Sequence, residues 1–128
     1  MKAYHGTDSK FTEFSLAFLG ENTDDNASSE ALRQTARLGI WFTENEQSAS
    51  YAYDNVMTCD LQLSNPLTID TLETLEFWVE TQELSGAELR EKLLDEGYDG
   101  IVIEYDEEFN GRSYVVFSPE NINIIKHA

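Results

Sequence analysis

Residues 39–53 read GIWFTENEQSASYAY, and this stretch sets the frame for the rest of the chain. Gly39-Ile40-Trp41-Phe42 has the apolar, bulky character of a short buried strand. Thr43 and Glu46 then stand at the T-x-x-E spacing of a capping box, which predicts a helix from about 44 to 54 carrying Tyr51 and Tyr53. A strand that feeds directly into a helix, with aromatic rings on both, suits a mixed fold. The rings have two uses, core filling or stacking on a planar ligand, and periodicity does not choose between them.

Upstream, MKAYHGT is compatible with a first strand that turns at Gly6. Phe11, Phe14, Leu16, Phe18 and Leu19 follow in an irregular segment expected to cover a core, and residues 20–30, GENTDDNASSE, are polar and turn-rich. Leu32 and Ala36 with Arg33 and Arg37 suggest a short helical turn with one apolar and one basic face. Downstream, Met57, Cys59, Leu61 and Leu63 alternate with polar residues, the period of a half-buried strand that Asn65-Pro66 ends. Leu72, Leu75, Trp78 and Val79 predict a helix over 71–83. Ser85 and Glu88 form a second capping box, opening a helix that stops at Gly97. Apolar runs at 100–103, 114–117 and 122–125 complete an antiparallel-dominated α+β domain over 1–128, with the hydrophilic interval EYDEEFNGRS (104–113) as a hairpin or loop.

The 128 residues suffice to bury a core without disulfides, and the 41% hydrophobic and 12% aromatic fractions are those of a globular chain. The 8 Lys and Arg against 25 Asp and Glu give a formal net charge of -17. That field repels nucleic acid and anionic lipid, so non-specific nucleic-acid binding is not expected, and it draws basic partners at low salt. The single cysteine, Cys59, precludes an internal disulfide. No run approaches the ~20 apolar residues of a membrane span and no signal-peptide pattern opens the chain, so a cytoplasmic protein is expected.

Among residues able to do chemistry, His5 is one of two histidines, the other being His127. Gly6 lets a ligand approach the backbone and Thr7 adds a hydroxyl, so His-Gly-Thr forms a small hydrogen-bonding platform for a sugar hydroxyl or an amide, although a lone histidine near an N-terminal strand is more often structural than catalytic. Glu104, Asp106, Glu107 and Glu108 line the 104–113 interval. A charge run is ordinarily a solvated face, but one carboxylate held between strands can stabilise an oxocarbenium-like cation. Zinc spacings, phosphate-binding glycine loops and the G-x-S-x-G nucleophile elbow are all missing from the sequence, so no metal site is expected.

Taken in order, YHGT (4–7), GIWFTENEQSASYAY (39–53), GYDGIVI (97–103) and SYVVFSPENINI (113–124) resemble the signature blocks of the ADP-ribosyltransferase superfamily. The likeness is to its diphtheria-toxin-like branch, which includes the poly-ADP-ribose polymerases and small phage and bacterial members. The resemblance implies a split β-sandwich that binds NAD as a consumed substrate, cleaves the nicotinamide–ribose bond and transfers ADP-ribose to an acceptor. It implies that His5 bonds the ribose, that the Gly6 backbone contacts the nicotinamide amide, and that Thr7, Trp41 and Phe42 line the site. Trp41 stands where the family carries tyrosine in G-[IL]-Y-F, and the stacking aromatic falls on Tyr51, with Tyr53 the alternative. The family's glutamate before the Y-[IV]-[IV]-[YF] strand is Ser113 here. Serine carries no negative charge, so either activity is lost or the acid comes from the adjacent loop, in the order Asp106, Glu108, Glu107. Arg33 and Arg37, or Lys10, are candidates to offset the pyrophosphate charge.

The resemblance also extends, in kind, to phage anti-CRISPR proteins that ADP-ribosylate a host complex. The expected partners are therefore NAD and a protein acceptor, a basic host protein or complex being the natural choice. The rival is an acidic decoy resembling DNA that blocks a basic surface without catalysis. A degenerate transferase that only binds NAD, or one that hydrolyses it, completes the alternatives.

Overall fold

The computed structural model describes residues 1–7, 14, 16 and 30–126. Its elements run β1 (Lys2–Thr7), α1 (Glu30–Ala36), β2 (Ile40–Thr43), α2 (Glu46–Ala52), β3 (Asn55–Leu61), β4 (Pro66–Thr71), α3 (Leu72–Gln82), α4 (Gly86–Asp95), β5 (Gly100–Asp106), β6 (Gly111–Val116) and β7 (Ile122–Lys126), with a 3₁₀ turn over Pro119–Asn121. The architecture is mixed α+β, as expected. Phe11, Phe18, Leu19, the polar segment to Ser29, Lys10 and His127 lie outside the described residues.

Seven strands hydrogen-bond in the order β4-β5-β6-β2-β1-β3-β7. The expectation of antiparallel pairing needs one correction, because β4 runs parallel to β5 with Pro66 opposite Gly100. Asn65-Pro66 does not end strand structure; it opens an edge strand. A proline is tolerated there because its missing N–H removes no ladder bond on the outer side. The α3–α4 pair supplies the crossover that a parallel connection requires. The first strand likewise continues through Gly6 to Thr7 and does not turn, held in register by β3 from Lys2–Asp60 to Thr7–Asn55.

Opposed residues share a face, so the register assigns two apolar layers. One side carries Ala3, Phe42, Met57, Cys59, Leu61 and Tyr114. The other carries Ile101, Ile103, Val115 and Phe117 under Leu75 and Val79 of α3 and Leu89 and Leu93 of α4. Periodicity 3.6 in the helices and 2 in the strands produces both layers from the sequence. The alternation Met57-Cys59-Leu61 is buried as its period predicts.

Capping fixes the helix starts. Ser85 and Glu88 make the reciprocal capping box, at 3.1 and 3.0 Å. Thr71 caps α3, accepting from the Thr74 N–H at 3.2 Å. The start of α2 differs from expectation: Asn45, not Thr43, is the cap, its side chain accepting from the Ser48 N–H at 3.2 Å. Thr43 stays in β2, where its strand partners Tyr4 and Ser113 hold it extended.

Candidate active site

The strand order brings YHGT, IWFT and SYVV, distant in sequence, side by side as β1, β2 and β6. Thr43 pairs with Tyr4 on one side and Ser113 on the other. Neighbouring strands lie about 4.8 Å apart, so Ser113 stands roughly 10 Å from β1.

The β1–β2 seam is incomplete. Tyr4–Thr43 is the one residue pair joining these strands, so the sheet falls into a β4-β5-β6-β2 half and a β1-β3-β7 half. Were the ladder continued, Gly6 would face Trp41. Instead the His5 ring reaches into the seam, and its Nδ1 lies 2.7 Å from the Trp41 carbonyl oxygen. A carbonyl only accepts, so Nδ1 carries the hydrogen and Nε2 carries the lone pair. Burial lowers the pKa of His5, outweighing the opposite pull of the Trp41 carbonyl. The ring is thus neutral near pH 7, suited to accept a hydroxyl hydrogen at Nε2. Phe14 meets it edge-on, with centroids 5.0 Å apart, and Phe42 lies tilted at 5.4 Å. Thr7, on the same side of β1, is buried.

The opposite face gathers the remaining candidates. Pairing puts Tyr4, Gly6, Trp41, Thr43 and Ser113 on that face, the face of the α3–α4 core. A Cβ on Gly6 would lie 2.7 Å from Cγ and 3.0 Å from Cβ of Tyr53, and nearer still to Cδ2. Tyr53 therefore lies directly on the Gly6 backbone. Tyr51, the preferred of the two tyrosines, is not brought there: it is 93% exposed. The reason is helical phase. Ala49 is the buried residue of α2 and Tyr51 lies about 200° round from it, whereas Tyr53, the C-cap, has left the helix in an extended conformation (φ -133°, ψ 151°). The Trp41 ring packs on the second core, away from His5 and Phe42, and its Nε1–H is buried without a hydrogen-bond partner among the described residues.

Asp106 reaches this face through a bulge. Ile103 opposes Ser113 and Asp106 opposes Gly111, so β5 spends three residue steps where β6 spends two. A strictly alternating strand would turn Asp106 to the other side; the extra residue turns it to Ser113. Ser113 Oγ donates to Asp106 Oδ2 at 2.7 Å, and the Glu108 N–H donates to Oδ1 at 2.9 Å. Asp106 and Ser113 are each only 1% exposed. The Glu108 carboxyl is pushed up in pKa by partial desolvation and then by the neighbouring Asp106 charge, although Glu108, like Glu107, lies exposed.

Several bonds tie this hairpin to the β2–α2 corner. Glu44 Oε2 accepts from the Arg112 N–H at 2.6 Å, the Glu44 N–H donates to the Arg112 carbonyl at 3.0 Å, and Asn45 Nδ2 donates to the Asn110 carbonyl at 3.3 Å. Glu76 of α3 faces the same hairpin, its carboxyl pushed up by burial first and then by Glu108 and Asp106. The sequence did carry a signal for Glu76: it sits four residues after Leu72 and three before Val79, a charge within the apolar stripe of α3. Arg33 pairs with Glu30 at 3.2 Å on α1, which packs against α3 and α4. Arg33 on α1 and Arg37 just after it therefore lie on the α3–α4 side of the sheet, the side of Asp106 and Tyr53 and not that of the His5 ring. Burial pushes the Cys59 thiol up to about 11, so it stays protonated in the core.

These three strands and their seam are the frame of an ADP-ribosyltransferase-type protein. The chain belongs to the family described as "ADP-Ribosyltransferase in polyvalent proteins", whose model matches residues 1–128. A solved structure described as "Crystal structure of an anti-CRISPR protein" is similar to it at 14% identity and a TM-score of 0.50, over 100% of this chain and 95% of that one. At that identity the likeness is one of fold. No curated protein matches the sequence. Among the described residues, no helix is long and apolar enough to cross a membrane.

Proposed function

We propose that residues 1–128 act as one unit, an ADP-ribosyltransferase that consumes NAD in the cytoplasm and modifies a protein. The seam between β1 and β2 is then the split of the sandwich, with the substrate entering beside it. The observation that carries this reading is the buried Asp106 carboxylate beside Ser113, on the face where Tyr53 lies on Gly6. Gly6, paired with Val56 of β3 and carrying no side chain of its own, suits close approach of a carboxamide, whose N–H and C=O can bond a peptide group. Tyr53 supplies a flat face for the nicotinamide ring, and the His5 ring, on the other face of β1, holds the seam through its bond to the Trp41 carbonyl.

In this reaction the bond between the nicotinamide nitrogen and ribose C1′ breaks, and the electron pair leaves on nicotinamide. The cation left at C1′ is stabilised by the Asp106 carboxylate, and it is captured by an acceptor nucleophile whose proton passes to solvent. A fixed carboxylate in a water-poor site is effective because it requires no reorganisation as charge develops. The chain's net charge of -17 favours a basic acceptor protein. An effector acting on a host protein fits both the family and the fold shared with an anti-CRISPR protein.

The test is nicotinamide release from NAD by the purified protein, alone and with a protein extract and labelled NAD. Asp106→Asn is expected to lower turnover about 10²–10³-fold, the scale of losing one preorganised electrostatic group. His5→Ala and Tyr53→Ala should raise KM for NAD, and Tyr51→Ala should not. A wild-type protein that neither releases nicotinamide nor labels any protein overturns the proposal.

A further inference from the structure

Ser113 stands where the family resemblance implies a glutamate, yet the structure does not leave it idle. Its hydroxyl has a single hydrogen, and that hydrogen is directed to Asp106 Oδ2 at 2.7 Å. The other carboxylate oxygen, Oδ1, is held at 2.9 Å by the Glu108 N–H in the turn that follows. Each oxygen is thus tied from a different element, β6 and the turn before it, which fixes both the position and the plane of the carboxylate. The β5 bulge opposite Gly111 and Ser113 delivers Asp106 to this point.

Resting on the reading of Asp106 as the acid, we propose that Ser113 is a positioning residue: the negative charge of the site has moved from β6 to β5, and Ser113 on β6 holds it in place for the ribosyl cation. The hydroxyl acts through Asp106 and touches no reacting atom. Its contribution falls on the transition state, where charge at C1′ develops, and not on NAD binding.

The experiment measures kcat and KM for nicotinamide release in Ser113→Ala, Ser113→Cys and Ser113→Thr, alone and combined with Asp106→Asn, with thermal unfolding recorded for each. Cysteine keeps the volume with a feeble donor, so it serves if alanine fails to fold; threonine keeps the hydroxyl. Alanine and cysteine are expected to lower kcat about 10-fold or more with KM within about twofold, and threonine to restore it. In the Asp106→Asn background, Ser113→Ala should change kcat less than about twofold, because the carboxylate it positions is gone. Equal kcat in Ser113→Cys and wild type, or an unchanged loss in the Asp106→Asn background, overturns the role of Ser113 while leaving the transferase reading intact. Full activity in Asp106→Asn overturns the choice of acid and this proposal with it, and an inactive wild type overturns both.

Discussion

The packing of Tyr53 on Gly6 makes a quantitative prediction for Gly6→Ala. The new Cβ would lie 2.7 Å from Tyr53 Cγ and 3.0 Å from Tyr53 Cβ. An ordinary contact begins near 3.4 Å, so the root of the ring must retreat by about 0.7 Å. Cγ and Cβ cannot do this by ring rotation alone, because the Tyr53 backbone is anchored by its N–H bond to the Ala49 carbonyl at 3.0 Å. Overpacking of this kind costs about 1–3 kcal/mol, offset by the ~0.5–1 kcal/mol gained when glycine leaves a strand interior. The net expectation is a loss of about 0.5–2 kcal/mol. For a chain of this size that lowers Tm by about 2–8 °C. In a Tyr53→Ala background the ring contacts are gone and only the Cβ contact at 3.0 Å remains, so the same substitution should be close to neutral. The assay is urea unfolding of the four proteins of the cycle, read at constant m-value, giving a coupling of about 0.5–2 kcal/mol. A Gly6→Ala cost that is the same in both backgrounds would falsify the contact and, with it, Tyr53 as the aromatic wall.

Two further outcomes follow from the same geometry. Burial lowers the pKa of His5, so at mildly acid pH the unfolded chain binds the extra proton and the folded chain does not. The contribution of His5 to stability is complete above the unfolded value near 6.5 and is lost as pH falls below it through the folded value, so the urea midpoint should drop more between about pH 7.5 and about pH 5 in wild type than in His5→Gln; parallel curves count against a neutral, buried ring. Asn45 both caps α2 and donates to the Asn110 carbonyl of the β5–β6 turn. Asn45→Ala should therefore cost about 1 kcal/mol in chemical unfolding and also weaken NAD binding through Tyr53 at the end of α2, whereas stability within ~0.2 kcal/mol of wild type contradicts the cap.

Much of the architecture was legible because burial follows local period. The alternation of Met57, Cys59 and Leu61, the stripe of Leu72, Leu75 and Val79, and the Ser85–Glu88 box each encode their element within a few residues. The parallel edge strand at Pro66 was not legible. Its existence depends on β5, more than thirty residues away, and proline ordinarily signals a break. The start of α2 moved to Asn45 for a similar reason, since Tyr4 and Ser113 hold Thr43 in the sheet.

The sequence by itself determined the residue types of the site: a histidine beside a glycine, aromatics around a short strand, a serine where a glutamate is implied, and carboxylates in the next loop. Those types follow from composition and order along the chain, and no folding is needed to see them. Which of them meet was decided by tertiary structure alone. The end of α2 at Ala52 put the extended Tyr53 and not the helical Tyr51 on Gly6, and the broken β1–β2 ladder let the His5 ring reach the Trp41 carbonyl. One extra residue in β5 turned Asp106 toward Ser113. A strand alternates faces every residue and a helix turns 100° per residue, so a single step in register reverses which side chains face a ligand, and only the assembled sheet fixes that step.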